Sequence, residues 1–357
     1  MSATRPSPDS AGVNGDVLVR IEDLVKRFPV ASDRLFGRSG REVQAVDGVS
    51  LDVRRGETLG LVGETGCGKS TLARCITRLH NLTSGRVTFD GDDISTLSRR
   101  RMRPYRLQMQ MIFQDPYGAL NPRRRVGSII GDPFAIHGIA AGVERRRRVQ
   151  ELMELVGLNP EHYNRFPAEF SGGQRQRIGV ARALALHPKL IVCDEPVSAL
   201  DVSIQAQIIN LLADLQDELG LTYVFIAHDL SVVRHVSDRI AVMYLGKVVE
   251  IAPTDELFSR PRHPYTNALL SAVPAIDEDG GAQQGRIVLG GDVPSPIDPP
   301  QGCRFHPRCP KARQLCSADE PILERKAGDL PDHATACHFP VEAGEELGNA
   351  PAPGVSR

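Results

Sequence analysis

Leu59-Gly60-Leu61-Val62-Gly63-Glu64-Thr65-Gly66-Cys67-Gly68-Lys69-Ser70-Thr71, continued by Leu72-Ala73-Arg74-Cys75-Ile76, runs from a short apolar strand through a glycine-rich turn into a helix. That context is what a phosphate-binding P-loop requires. Glycine at 63, 66 and 68 lets consecutive backbone N–H groups converge on phosphate oxygens, and the following helix points its positive end at them. Lys69 then neutralises charge on the β- and γ-phosphates, and Ser70 can ligate Mg²⁺. The competing reading is a glycine-rich turn followed by a chance Lys-Ser. The matching strand and helix on either side argue against it, and Gly63 to Thr71 becomes the candidate nucleotide site.

A second apolar run, Leu190-Ile191-Val192-Cys193, ends in Asp194-Glu195. In an α/β sheet, ligands gather at the carboxyl ends of the strands, which is where these two acids would stand. Asp194 is read as holding the metal through water, and Glu195 as the general base that polarises the attacking water. Acids at strand ends also serve as helix caps; it is the P-loop that selects the catalytic reading.

Working outward, β-rich runs occur at Val17 to Ile21, Val46 to Val53, Thr58 to Val62 and Arg86 to Phe89. Helical patterns dominate between about Ile94 and Leu186, as in Arg146 to Val156, where Val149, Leu152, Met153 and Val156 fall at helical spacing. Strand character returns at Leu190 to Cys193 and Thr222 to Ala227, compact apolar runs of the kind buried in parallel sheets. The expectation is an α/β core with a helical block (about 94–186) inserted into it. The first domain spans 17–257, and a small, loop-rich C-terminal unit (258–340) follows a linker punctuated by Pro and Gly. Residues 1–16 and 341–357, rich in small and polar residues, read as disordered.

The chain has 357 residues, a net charge of −1 and 41% hydrophobic residues, ordinary globular values. That balance gives no global electrostatic case for nucleic acid. Arg99 to Arg101, Arg123 to Arg125 and Arg145 to Arg148 are basic runs, read as solvated faces. No run approaches the roughly 20 apolar residues of a membrane span, and the first residues lack a signal peptide's apolar core, so the chain is expected on the cytoplasmic side.

Phe170-Ser171-Gly172-Gly173-Gln174-Arg175-Gln176-Arg177 resembles the signature motif of ABC ATPases. Other matches follow the order of that family: Gln114 in Phe113-Gln114-Asp115-Pro116 resembles the Q-loop, Ser198-Ala199-Leu200-Asp201 the D-loop, and His228 in Ala227-His228-Asp229 the switch histidine. The resemblance covers about residues 17–340. It implies a P-loop NTPase cassette: a RecA-like core, a β-rich subdomain and an inserted helical subdomain. It also implies that two cassettes close head to tail over two ATP molecules. Ser171, Gly172, Gly173 and Gln174 of one cassette would face the γ-phosphate held by the other, with Asp201 at the junction. Gln114 would touch the Mg²⁺ ion and the water, and His228 the γ-phosphate. An aromatic near the beginning of such cassettes stacks on adenine; Phe28 matches that place, and Phe36 is its competitor.

Asn121-Pro122-Arg123, Arg262-His263-Pro264-Tyr265 and Gly302-Cys303-Arg304-Phe305-His306-Pro307-Arg308-Cys309-Pro310 resemble the ATPase subunits of oligopeptide and dipeptide importers. That branch implies a heterodimer with a related ATPase subunit, two transmembrane permease subunits and an extracytoplasmic peptide-binding protein. Importers of nickel and some sugars share the extension. Cys303, Cys309, Cys316 and Cys337 have C-x5-C, C-x6-C and C-x20-C spacing, neither that of a zinc ribbon nor that of a bacterial ferredoxin run. In related importers such a set is associated with a 4Fe–4S cluster; zinc with His306 or His338, and free thiols, are the other readings. A soluble ABC ATPase that remodels RNA or DNA complexes is the rival function. Two cassettes in one chain, or long heptad coiled coils, would mark it, and neither occurs in the sequence.

Overall fold

A computed structural model describes residues 16–30, 40–272 and 287–348. Phe36 and nearly all of the expected leader lie outside these residues. The early β-rich runs pair with one another: β1 (Val17–Pro29), β2 (Glu42–Arg54), β4 (Ser84–Phe89) and β5 (Asp92–Asp93) form an antiparallel sheet ordered β2-β1-β4-β5.

The second sheet contains β3 (Thr58–Val62), β6 (Met109–Ile112), β7 (Leu190–Asp194), β8 (Thr222–Ile226), β9 (Arg239–Tyr244), β10 (Lys247–Pro253) and β11 (Ala334–Thr335), ordered β11-β10-β9-β3-β8-β7-β6. Its five strands from β9 to β6 are parallel, and β10 and β11 extend it antiparallel. Every residue of β3, β7 and β8 is buried, as a sheet covered on both faces demands. Side-chain alternation divides β7 between two cores. Ile191 and Cys193 join Ile208, Leu212 and Leu215 on one face; Leu190 and Val192 join Leu72, Cys75 and the first sheet on the other.

The helices are α1 (Lys69–Ile76), α2 (Arg103–Gln108), α3 (Pro116–Ala119), α4 (Val126–His137), α5 (Gly142–Leu155), α6 (Gly172–Leu184), α7 (Val202–Leu219), α8 (Leu230–Val236), α9 (Thr254–Ser259), α10 (Pro264–Ser271) and α11 (Gln314–Ala318). From α3 to α6 the expected helical block is present. Its first part differs: Met109 to Ile112 is a strand, paired in parallel with Leu190 to Cys193. Four residues without a β-branched run at their start carry little strand signal of their own, and pairing with β7 decides them.

The C-terminal segment is stitched to the main sheet. Thr335 and Ala334 pair with Glu250 and Ile251 of β10. Beneath them Glu250, fully buried, accepts the backbone N–H groups of Arg262 (2.6 Å) and His263 (3.0 Å) and lies 2.8 Å from His333 Nε2. Buried Arg262 reaches Asp329 (3.2 Å), Glu342 (2.9 Å) and the Val341 carbonyl (2.8 Å). Val341 is itself buried and Lys311 holds Glu345, so ordered chain continues past position 340, where the sequence reads as tail.

Burial opposes charging His333, but its carboxylate neighbours Glu250, Asp329 and Glu256 outweigh it and hold the imidazole above its ordinary 6.5. A raised folded pKa stabilises below the unfolded value and is lost as pH rises through the folded one. The melting temperature is therefore expected to fall as pH climbs from 6.5 through the folded pKa of His333. In His333→Gln that part of the slope should vanish; equal slopes in thermal melts of the two chains would refute it.

Candidate functional site

Four adjacent parallel strands deliver the site. In the order β3-β8-β7-β6 their carboxyl ends carry the P-loop, His228, Asp194 with Glu195, and Gln114. Gly63 and Gly68 hold φ of +148° and +109°, and a Cβ on either would lie 2.1 Å from a backbone carbonyl oxygen, of Met243 and Ala45 respectively. Only glycine lets the loop seat that closely between β9 and β2. Lys69 is buried with its Nζ folded back on the loop, donating to the carbonyls of Gly63 (2.7 Å) and Glu64 (3.1 Å).

The Ser70 hydroxyl donates to Asp194 Oδ1 at 2.7 Å. Two oxygen donors meeting at the start of α1 are what a hard Mg²⁺ ion takes, so the residues fit that ion. Asp194 is almost fully buried, whereas the next residue turns outward: Glu195 has φ +48°, left-handed backbone that is strained for a side chain. The turn is held by Glu195 N–H to the Ile226 carbonyl (3.1 Å) and by the Ser198 hydroxyl on the Glu195 carbonyl (3.1 Å). It brings Glu195 Oε2 within 2.6 Å of Gln114 Nε2 and 3.9 Å of His228 Nδ1. All three expected catalytic side chains thus meet at one carboxylate.

The signature residues stand elsewhere. Ser171 caps α6, accepting Gln174 N–H at 3.3 Å, while Gln174 Oε1 accepts Ser171 N–H at 3.0 Å. This capping box satisfies two amides and leaves Ser171 and Gln174 exposed at the helix start. A Cβ on Gly173 would lie 2.5 Å from Ile204 Cγ2 of α7, so glycine there serves close helix packing. Asp201 is the exposed residue before α7. The principal neighbours of α6 are α3, α4, α5, α7 and β6, while α1 packs on β1, β2, β7 and β8. Phe28 is half-buried, with Lys26 Nζ 4.6 Å over its ring and His80 edge-on at 5.5 Å, both outside Gly63 to Thr71.

Two residues that motif reading passes over support the site. Arg74, one helical turn after Ser70, lies 3.7 Å from Asp194 Oδ2, a spacing that could have marked it. Gln205 Nε2 donates to the carbonyls of Val197 (3.1 Å) and Leu200 (2.9 Å), bracing the segment before Asp201.

Cys303, Cys309, Cys316 and Cys337 line one small cavity with His306, His338 and Lys311. Burial pushes the Cys309 and Cys337 thiols up to about 12. Among the described residues no group of three or more His, Cys, Asp or Glu is placed to hold a metal ion. The expected 4Fe–4S cluster, and zinc with His306 or His338, gain no support from this arrangement. His306 Nδ1 is 2.9 Å from the Cys303 carbonyl and His338 Nε2 is 3.0 Å from the Asp319 carbonyl, so each imidazole already has a backbone partner.

Residues 46–198 match the family described as ABC transporter, and residues 249–316 the family described as oligopeptide/dipeptide transporter, C-terminal region. The chain is 53% identical over 327 residues to the oligopeptide transport ATP-binding protein AppF of Bacillus subtilis, covering 91% of this chain and 98% of that one. It is 50% identical over 329 residues to a probable peptide ABC transporter ATP-binding protein, y4tS, of Sinorhizobium fredii, covering 92% of this chain and 91% of that one. Among solved structures it is similar to the dimeric ATP-binding cassette MJ0796 in a post-hydrolysis state bound to ADP and phosphate: TM-score 0.59, 29% identity, 66% of this chain and 99% of that one. CbiO1 from Clostridium perfringens, part of an ABC transporter complex, gives TM-score 0.59 at 28% identity, covering 69% of this chain and 92% of that one. By these matches the chain belongs to the ABC transporter ATP-binding proteins, in the branch that carries the oligopeptide/dipeptide C-terminal region.

Proposed function

We propose that the chain binds and hydrolyses ATP to energise import of oligopeptides or dipeptides by an ABC transporter. The observation that carries this reading is a division of labour. Ser70, Asp194, Gln114, Glu195 and His228 converge at one sheet edge, while the capped helix start, with Ser171 and Gln174 exposed, packs among other elements. A phosphate-facing helix start without a phosphate site beside it calls for a second cassette. The partner is proposed to be a related ATPase subunit, with two permease subunits and an extracytoplasmic peptide-binding protein completing the complex. The chain would then sit peripherally on the cytoplasmic face; among the described residues no helix is long and apolar enough to cross a membrane.

In this reading Lys69 and the loop amides from Gly63 to Thr71 hold the phosphates, and Phe28 stacks on adenine once Lys26 moves aside. Ser70 and Asp194 would hold Mg²⁺ with Gln114 beside them; the bound ion would spread charge off the β- and γ-phosphate oxygens. Glu195 takes the proton from the attacking water, and Gln114 and His228 fix the carboxylate and the water between them. Loss of the γ-phosphate removes what Ser171 to Gln174 of the partner cassette grip, and the pair reopens. The proposed division of the chain is residues 17–257 for the cassette, with the helical part at about 94–186 apart from β6, and a C-terminal unit that begins at 258 and runs past 340.

A 4Fe–4S cluster on Cys303, Cys309, Cys316 and Cys337 rests on the family resemblance alone. Iron and sulfide analysis of anaerobically purified chain tests it, and no step above depends on it. For the function itself, tagged Glu195→Gln chain is captured from gently solubilised source cells in ATP and Mg²⁺. A second, different cassette with two polytopic membrane proteins is the expected catch; ribosomal or DNA-repair proteins without membrane proteins would sink the transporter reading.

A further inference from the structure

Glu64, second residue of the P-loop, is gripped by chain that follows it by more than 200 residues. Its backbone N–H donates to Tyr265 Oη at 2.9 Å, and its carboxylate accepts both Arg308 Nη1 (2.8 Å) and Arg308 Nη2 (3.2 Å). The Glu64 carbonyl accepts Lys69 Nζ, so a single residue joins the P-loop lysine to the C-terminal segment. Both grips are held rigidly. Tyr265 is fully buried, its ring 4.7 Å from Tyr244 and 5.3 Å from Phe305, and its N–H donates to His263 Nδ1 at 3.0 Å. Arg308 is 7% exposed and ends a one-turn helix, with its guanidinium 6.0 Å from the Tyr244 ring. A second tie runs alongside: Arg304 donates to the Leu245 carbonyl, and the next residue, Gly246, donates its N–H to the Cys67 carbonyl at 2.8 Å.

A carboxylate on the rim of a triphosphate site repels the ligand unless it is cancelled. A two-pronged arginine cancels the charge and also fixes the direction of the carboxylate, which a lysine does less well. We infer that Arg308 and Tyr265 are positioning residues for ATP: acting through Glu64, they neutralise and hold the P-loop, so the C-terminal segment sets the chain's affinity for nucleotide. An ion pair that only tethered the segment would change stability and leave that affinity alone.

The test is equilibrium titration of the full-length chain with a fluorescent ATP analogue in Mg²⁺, at low and high salt, with thermal melting alongside. Arg308→Gln is expected to weaken binding about tenfold at low salt and less at high salt, because salt screens the freed Glu64 charge. Arg308→Lys should recover most of the loss. The double variant Arg308→Gln/Glu64→Gln should bind more tightly than Arg308→Gln alone, since the unpaired charge is gone. Wild-type affinity in Arg308→Gln, or a double variant no better than the single one, overturns the inference. Should Arg308→Gln melt too low to titrate, Tyr265→Phe removes one oxygen and keeps the ring. It is expected to weaken binding about threefold at both salt levels, the worth of one neutral hydrogen bond, and unchanged affinity overturns the inference. A parent chain that fails to bind the analogue would count against the ATPase reading instead.

Discussion

Glu195→Gln is expected to bind ATP and hydrolyse it on the order of 10²–10⁴-fold more slowly than the parent, the usual worth of a general base. That corresponds to about 3–5 kcal/mol of barrier. The substitution is well matched to the site. Glutamine keeps the length of the side chain and an acceptor for Gln114 Nε2, now 2.6 Å from the carboxylate, and the strained φ of +48° is set by the backbone rather than by the charge. What it loses is the ability to take a proton. In the proposed mechanism ATP is held by Lys69 and the loop, which the change leaves in place, so an ATP-bound pair of cassettes should accumulate on size exclusion. Phosphate release, measured with the partner's own site disabled, decides the matter: turnover at the parent rate would remove Glu195 from the role of base.

Lys69→Ala should have the second largest effect, weakening ATP binding about 100-fold, or about 3 kcal/mol. Two losses add. The ammonium now donates to the Gly63 and Glu64 carbonyls and so holds the loop in shape before nucleotide arrives. With ATP present the same charge would meet phosphate oxygens, and charge-assisted hydrogen bonds are roughly twice as strong as neutral ones. Titration with ATP analogue, checked against a melting curve, measures it. Unchanged affinity in a folded chain would mean that the loop amides carry the phosphates alone.

The motifs were legible wherever the chemistry is written in consecutive residues. Gly63 and Gly68 must be glycine because backbone from elsewhere presses on them, and their spacing announces a phosphate loop before that backbone is known. Asp194 and Glu195 end an apolar run, and a buried parallel strand puts its terminal acids at the ligand edge. Ser171 and Gln174 entered through the resemblance to the signature motif, and the capping box they form is a local device that the structure shows. Strand β6 was not legible, because Met109 to Ile112 owes its form to β7, about 80 residues downstream.

From its sequence alone the chain was determined to be an α/β nucleotide-binding cassette with a signature helix and a cysteine-bearing C-terminal segment. The phosphate loop, the strand-end acids and the α/β alternation follow from turn chemistry, periodicity and spacing, each confined to a few neighbouring residues; the signature helix and the cassette as a whole come from the resemblance to ABC ATPases. Only the tertiary structure decided that β3, β8, β7 and β6 lie side by side and so bring Gln114 and His228 to Glu195. It alone decided that Tyr265 and Arg308 close on Glu64 across 201 and 244 residues of chain. Such contacts depend on which strands pair and how the late segment packs back on the sheet, and no local pattern of residues encodes a partner so far away.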